Sequence, residues 1–402
     1  MPSPSTATSM TPAWVAVLLA LLIGIQPTAT DMYLPALPAL SHSMGANLAQ
    51  AQLTLSGLFL TFGISQLFWG PLSDRYGRRP VLLVGLGLYT FCAAAAVFAS
   101  TMSSLTLLRM AQGVGMGAAV VCGRALIRDL YTADMGTRVM SKGQTGLGIL
   151  ACLSAPLGGL LSDLWGPQAA LAMVAITGAL IWLAVALTFR ETLLHRVPSI
   201  NTRSLLHSAA EVLSHRTFWA YALLSTTTFC GLYLFLSTSS FIYIDHFGLP
   251  QTLYGAVMLV TSLSFITGTF LTRRLMNRWS IPAVVRAASM LALLSGLSLV
   301  ALQLFKVDSL LASIIPICLF FISHGINQSC GQAGCVTPFP QFAGMAAALN
   351  GVLMMLCGFV VGAWMGSIQA PPHVILAWGM GVLGVLIALI AWGPVRKHGA
   401  QA

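Results

Sequence analysis

Gly70-Pro-Leu-Ser-Asp-Arg-Tyr-Gly-Arg-Arg-Pro80 is a short, basic, turn-rich stretch between two long apolar runs, one ending near residue 72 and the next extending from Val81 to Ala99. Gly70 and Gly77 suit a tight turn and close backbone approach, and Pro71 and Pro80 punctuate helix ends. Each flanking run has about the 20 residues that a helix needs to cross roughly 30 Å of hydrocarbon. The stretch is a connection between two membrane-crossing helices.

The same alternation continues in both directions. Spans are expected at 13–35, 51–72, 80–100, 104–126, 142–162, 168–189, 217–240, 252–272, 283–304, 309–330, 344–367 and 373–393. Composition agrees. The chain has 402 residues, 57% hydrophobic and 7% charged, with mean hydropathy +0.86, whereas soluble domains carry about 25% charged residues. The expected fold class is an all-α membrane protein of twelve transmembrane helices.

A net charge of +10 in a soluble protein would raise nucleic-acid binding. Here the basic residues sit in short connections, where they set topology. Of the 19 Lys and Arg, only Lys306 falls in an odd-numbered loop and Arg109 lies within a span. The other 17 are in, or within a turn of, the even-numbered loops and the C-terminal tail. That asymmetry predicts both termini in the cytoplasm. No Lys or Arg precedes the first apolar run, so the first helix is expected to be retained rather than cleaved as a signal. The eight cysteines read as small buried hydrophobes. The closest pair, Cys330 and Cys335, has no His at ligand spacing, so no metal site is expected.

The connection from Arg190 to Arg216 is the longest. It divides the chain into a six-helix bundle at 1–189, a linker at 190–216 and a second six-helix bundle at 217–402. Inside it, Ser204 to Leu213 reads either as a surface helix with Leu205, Leu206 and Leu213 on its apolar face or as plain linker. Arg273-Arg-Leu-Met-Asn-Arg-Trp279 weakly repeats the Gly70–Pro80 loop in the second half. Duplicated six-helix halves point to a transporter with its substrate held between them near mid-membrane.

Gly70 to Pro80 resembles the cytoplasmic loop signature of the major facilitator superfamily, Gly-x-Leu-x-Asp-Arg-x-Gly-Arg-Arg/Lys. Leu105-Thr-Leu-Leu-Arg109-Met-Ala-Gln112-Gly113 in the fourth span looks like that family's Arg-x-x-Gln-Gly motif. Gly148 followed by Ala155-Pro156-Leu-Gly158-Gly159 in the fifth looks like the motif of drug/proton antiporters, with Ala155 where Gly is usual. Thr30-Asp31-Met-Tyr-Leu-Pro-Ala-Leu-Pro38 and Pro340-Gln-Phe-Ala-Gly344 are similar to the Bcr/CflA group of multidrug exporters. The resemblance implies two pseudo-symmetric bundles working by alternating access as a monomer in a bacterial inner membrane. It also implies proton-coupled export of small amphipathic molecules such as antibiotics, with no cofactor beyond the proton gradient. Proton-linked transport of a specific metabolite, and a non-transporting receptor on the same fold, are the alternatives.

Each motif has a physical reading. Asp74 sits where the positive end of the eleventh helix, beginning near Gly344, would favour a carboxylate. Arg78 is in reach of Asp129, and with Gly70, Asp74, Arg75, Gly77 and Arg79 it makes a cytoplasmic gate that latches the halves; alternatively these charges only enforce topology. Pro156, Gly158 and Gly159 bend and thin the fifth helix, either for coupling or for ordinary packing.

Nine acidic residues occur, and only Asp31 lies inside a span. Arg109 is expected at a similar depth, both within about two turns of the external surface. An ionised group in mid-bilayer costs about 3 kcal/mol unless paired or hydrated, which suggests a partnership. Burial and a nearby cation act in opposite directions on a carboxyl proton, so small rearrangements would switch its occupancy. Asp31 is therefore the candidate protonation site and Arg109 its partner, against the plainer role of Asp31 as a cap held by Thr30 or Tyr33. His324 reads as a packing residue more readily than as a relay. Tyr33, Gln112, Phe229, Tyr233, Phe235, Asn327 and Asn350 are candidate cavity residues, whereas Phe241 and Tyr243 suit the interfacial belt. No Gly-x4-Gly-Lys-Ser/Thr phosphate loop occurs, and nothing points to an enzyme.

Overall fold

The computed structural model describes residues 11–131, 133–193, 202–368 and 370–399, and among them there is no β-strand. The α-helices are α1 (Pro12–Asp31), α2 (Leu37–Ser43), α3 (Leu48–Tyr76), α4 (Arg78–Ala96), α5 (Met102–Leu130), α6 (Ala133–Trp165), α7 (Pro167–Thr188), α8 (Thr202–Ser214), α9 (Arg216–Ser240), α10 (Gln251–Met276), α11 (Ile281–Leu304), α12 (Leu310–Val336), α13 (Ala343–Ser367), α14 (Pro372–Ile390) and α15 (Arg396–His398). Twelve helical stretches are long and apolar enough to cross a membrane. They follow the expected order. Large apolar side chains such as Phe98, Leu187 and Phe305 stand exposed on the outside, as a lipid-facing surface requires.

Most spans run past their expected bounds, and three do so through a break or a wider turn. The first runs through α1 and α2 to Ser43, the seventh continues past α9 to His246, and the twelfth reaches His398. In the last two, a wider turn at Phe241–His246 or Ala391–Val395 carries the helix on. In the twelfth, Pro394 has no N–H for the ladder, so the turn widens instead of breaking.

Helix α8 forms within the linker and packs on α9 and α13. Its buried apolar residue is Val212, whereas Leu213 is exposed. The expected face is thus rotated by one residue at that end, and the Leu205 and Leu206 side chains lie outside the described residues.

Helices α1 to α7 pack among themselves, principally α3 on α5, α4 on α5 and α7, and α1 on α6. Helices α9 to α14 do likewise, through α11 on α14, α10 and α11 on α12, and α9 on α12, α13 and α14. Two seams join the sets, α3 against α13 and α6 against α10. Along the first, Ala49 and Ser56 meet Gly366 and Gly362, and Met355 lies against Gly63. Small residues at seven-residue spacing let the backbones close without side chains between them. Along the second, Asp163 accepts hydrogen bonds from the Gln251 N–H at 3.3 Å, the Thr252 N–H at 2.8 Å and the Thr252 hydroxyl at 2.6 Å. That carboxylate sits on the positive end of α10. His42 Nε2 and Asp245 Oδ2, 3.6 Å apart, add a polar contact across the sets. All these contacts lie toward the end of the bundle opposite the basic loops. Among the described residues, no hydrogen bond, ion pair or ring contact joins the two sets at the basic end. The sets are fastened to each other at one end and in the middle.

Candidate functional site

The break between α1 and α2 organises the centre of the first helix set. Pro35 has no N–H to return to the Asp31 carbonyl, so α1 stops at Asp31 and the chain turns through Leu34–Ala36 before resuming. Because the span continues to Ser43, Asp31 lies about 18 Å from that end at 1.5 Å per residue. The helical stretch thus outlasts its expected end at 35, and Asp31 lies well inside it. The half-buried carboxyl accepts from the Thr30 hydroxyl at 2.8 Å.

Arg109 reaches the same break from α5. It is fully buried, and its Nη1 donates to the Ala29 carbonyl at 2.9 Å and to Gln112 Oε1 at 3.2 Å. The guanidinium lies 4.2 Å from the Tyr33 ring centre, a cation–π contact, and the Tyr33 and Thr54 hydroxyls pair at 3.0 Å. Arg109 therefore touches residues two before and two after Asp31. Yet among the described residues no ion pair joins the two charges. They share a level but not a bond in this conformation. Ala29 and Tyr33, four apart, present one side of the chain, and Asp31 between them projects to another. Cys152 and Tyr254 are its electrostatic neighbours there.

Arg109 Nε and Nη2, Gln112 Nε2 and the Tyr89 hydroxyl are buried with no hydrogen-bond partner among the described residues. A buried guanidinium with free donors is a strong attractor for an anion.

Helix α6 touches both this break and the seam. A side chain at Gly158 would run into the Met32 backbone, beside Asp31, and one at Gly159 into the Gln251 carbonyl and Thr252 of α10. Gly255 of α10 in turn fits against Ala155 and Pro156. Adjacent glycines thus serve two different contacts.

At the basic end, Gly77 joins α3 to α4 at φ +106°, a conformation that favours glycine. Arg78, 2% exposed, pairs with Asp74 at 2.7 Å and Asp129 at 2.8 Å, and Nη1 donates to Ser73 Oγ at 2.6 Å. Arg128 stands 3.9 Å from Asp74, and Arg79 donates to the Ala186 carbonyl at 2.9 Å. Arg75 lies over the Tyr76 ring. Glu191 accepts from the Arg78 and Arg79 N–H groups at 2.9 and 3.2 Å, capping α4. The cluster fastens helices of one set. Asp74 finds its partners in Arg78 and Arg128, not at the start of α13.

The proposed cavity residues divide. Phe229 and Tyr233 of α9 meet Phe59 of α3 edge-on, each with ring centres 5.9 Å apart, and cap the opening at the closed end. Phe235 packs on Phe321 within the second set. Asn350 accepts from the Ser225 hydroxyl at 2.7 Å. Asn327 donates to Ser323 at 3.1 Å and leaves its Oδ1 unpartnered among the described residues. His324 is buried, paired with the Thr228 hydroxyl at 3.1 Å and stacked on Phe320.

A family model, the Major Facilitator Superfamily, matches residues 19–363. The chain belongs to that superfamily. A superfamily member of this kind is a membrane transporter, not an enzyme. Among curated proteins it is 28% identical to Multidrug resistance protein D of Escherichia coli, covering 95% of each chain. It is 27% identical to the Bicyclomycin resistance protein homolog of Haemophilus influenzae, over 93% of this chain and 94% of the relative. It is also 29% identical to a Chloramphenicol resistance protein of Pseudomonas aeruginosa, over 82% and 79%. Among solved structures, a bacterial homolog of the human lysosomal transporter Spinster superposes with TM-score 0.77 at 14% identity, over 98% and 99% of the two chains. A D-xylose–proton symporter gives 0.75 at 14%, over 94% and 96%. Those two likenesses establish the fold. Thr54, Phe59, Asp163 and Glu191 escaped the sequence reading of this superfamily chain, because their partners are remote in sequence.

Proposed function

We propose that this chain is a proton-driven exporter of small amphipathic molecules in a bacterial inner membrane. Both termini would be cytoplasmic, and the two bundles, 1–189 and 217–402, would rock as a monomer about the site between them. The relatives carry names of multidrug, bicyclomycin and chloramphenicol resistance, which supports drug-like cargo. The asymmetry of Lys and Arg among the loops supports the orientation, so the basic end would face the cytoplasm.

One observation carries the coupling. Asp31, the acid deep inside a span, sits at a helix break beside a buried guanidinium with free donors. In the inward-facing form, protonated Asp31 rests on Thr30. Arrival of cargo displaces the proton to the cytoplasm, and the carboxylate turns about the break toward Arg109. Met32 moves with it, Gly158 carries the shift into α6, and Gly159 loosens the seam with α10. The closed end then opens, cargo leaves, and a proton returns to Asp31. No cofactor takes part.

Uptake into reconstituted vesicles under an imposed pH gradient, with a panel of drugs and metabolites, tests this. Wild type should move amphipathic drugs, and Asp31→Asn should lose gradient-driven flux while retaining exchange without a gradient. Full gradient-driven flux by Asp31→Asn removes Asp31 as the coupling site, and movement of a single metabolite alone replaces the cargo assignment.

A further inference from the structure

A groove of about 600 Å³ lies between α11 and the last span, on the outer surface toward the basic end. Met290, Leu293, Val385, Leu389, Trp392 and Gly393 line it. It lies outside the site between the bundles. Its position within two membrane spans means that the bilayer meets it first. Two features keep it open. The wide turn at Ala391–Val395 spreads the wall, and a side chain at Gly393 would meet nothing within 4 Å.

At its mouth the Arg286 guanidinium lies 5.6 Å from the Trp392 ring centre. Among the described residues it has no carboxylate partner. None is at hand. Within 217–402 the acidic residues are Asp245 and Asp308, both at the opposite end of the bundle. Arg273, Arg274, Arg278, Arg396 and Lys397 share the basic end with Arg286. The basic end of the second bundle thus carries six cationic residues and, within 217–402, no acid, and the apolar slot lies at that end.

We propose that the groove is a binding site for an anionic glycerophospholipid, with the phosphate on Arg286 and one acyl chain along Leu293, Val385 and Leu389. Basic residues at a membrane surface select anionic headgroups, and the slot converts that general attraction into a defined site.

Native mass spectrometry of the delipidated full chain, titrated separately with phosphatidylglycerol and phosphatidylcholine, tests it. Wild type should hold one phosphatidylglycerol in preference by about fivefold, the weight of one basic residue at an anionic surface. Arg286→Gln should abolish the preference, Arg286→Lys should keep it, and Gly393→Leu should weaken retention of both lipids by filling the slot. Thermal unfolding in phosphatidylcholine shows which variants are folded, and the wild-type comparison stands without them. Equal retention of the two lipids by wild type overturns the proposal. So does undiminished preference in folded Arg286→Gln, or a Leu389→Cys cross-link between two copies that lipid does not compete away.

Discussion

Arg109 is a charge buried with three of its five N–H donors unpartnered among the described residues, an arrangement that is costly unless an anion comes and goes. Its shape matters as much as its sign. A guanidinium spans the Ala29 carbonyl, Gln112 and the Tyr33 face together, whereas an ammonium is a point charge that meets one partner well. Arg109→Lys should therefore lose about 2 kcal/mol, one charge-assisted hydrogen bond, or roughly thirtyfold in initial rate in the vesicle assay. A wild-type rate would show that the cation suffices without the stack. Gly158→Val sets a branched side chain against the Met32 backbone. Overpacking of that kind costs about 1–3 kcal/mol, and gradient-driven uptake should fall while the protein still elutes as a folded species in gel filtration.

At the scale of elements, the α3–α4 connection is held by buried charge and the α6–α10 seam by backbone contact. Arg78→Ala takes the charged donor from Asp129, Asp74 and the Ser73 oxygen, leaving Asp129 only the Thr192 hydroxyl at 3.4 Å among the described residues. Thermal unfolding in detergent should register a loss of about 3 kcal/mol. Arg79→Ala, at an exposed position with one carbonyl partner, should stay within about 0.5 kcal/mol; comparable losses for both would mean that burial is not what gives Arg78 its weight. The spans were legible in the sequence because hydrophobic length is a local property, and the Gly70–Pro80 loop because its turn residues and charges are contiguous. The continuation of the first span to Ser43 was also written there. Pro35 and Pro38 mark a helix that breaks and resumes, but reading the first span as ending at 35 took them for its exit. Glu191 could not be found this way, since its capping of α4 depends on a contact more than 110 positions away in the chain.

For the whole molecule, closure at one end rests on the two seams, and their pairings are invisible to local pattern. Ser56 Cβ and a Cβ built at Gly362 would lie 3.0 Å apart, near the spacing of a disulfide at about 3.5–4.5 Å. In a background without the other cysteines, Ser56→Cys with Gly362→Cys should cross-link on oxidation, halt uptake and recover on reduction. Undiminished uptake with the bond formed would mean that this seam does not part during the cycle. The glycine pair of α6 has a further consequence. Its two contacts are main chain against main chain, so they are blind to what the protein carries. On the proposed mechanism, recognition of cargo would reside in side chains between the bundles, and linkage to the proton gradient in the backbone beneath them. Cargo preference would then be free to diversify while the coupling contacts stay the same.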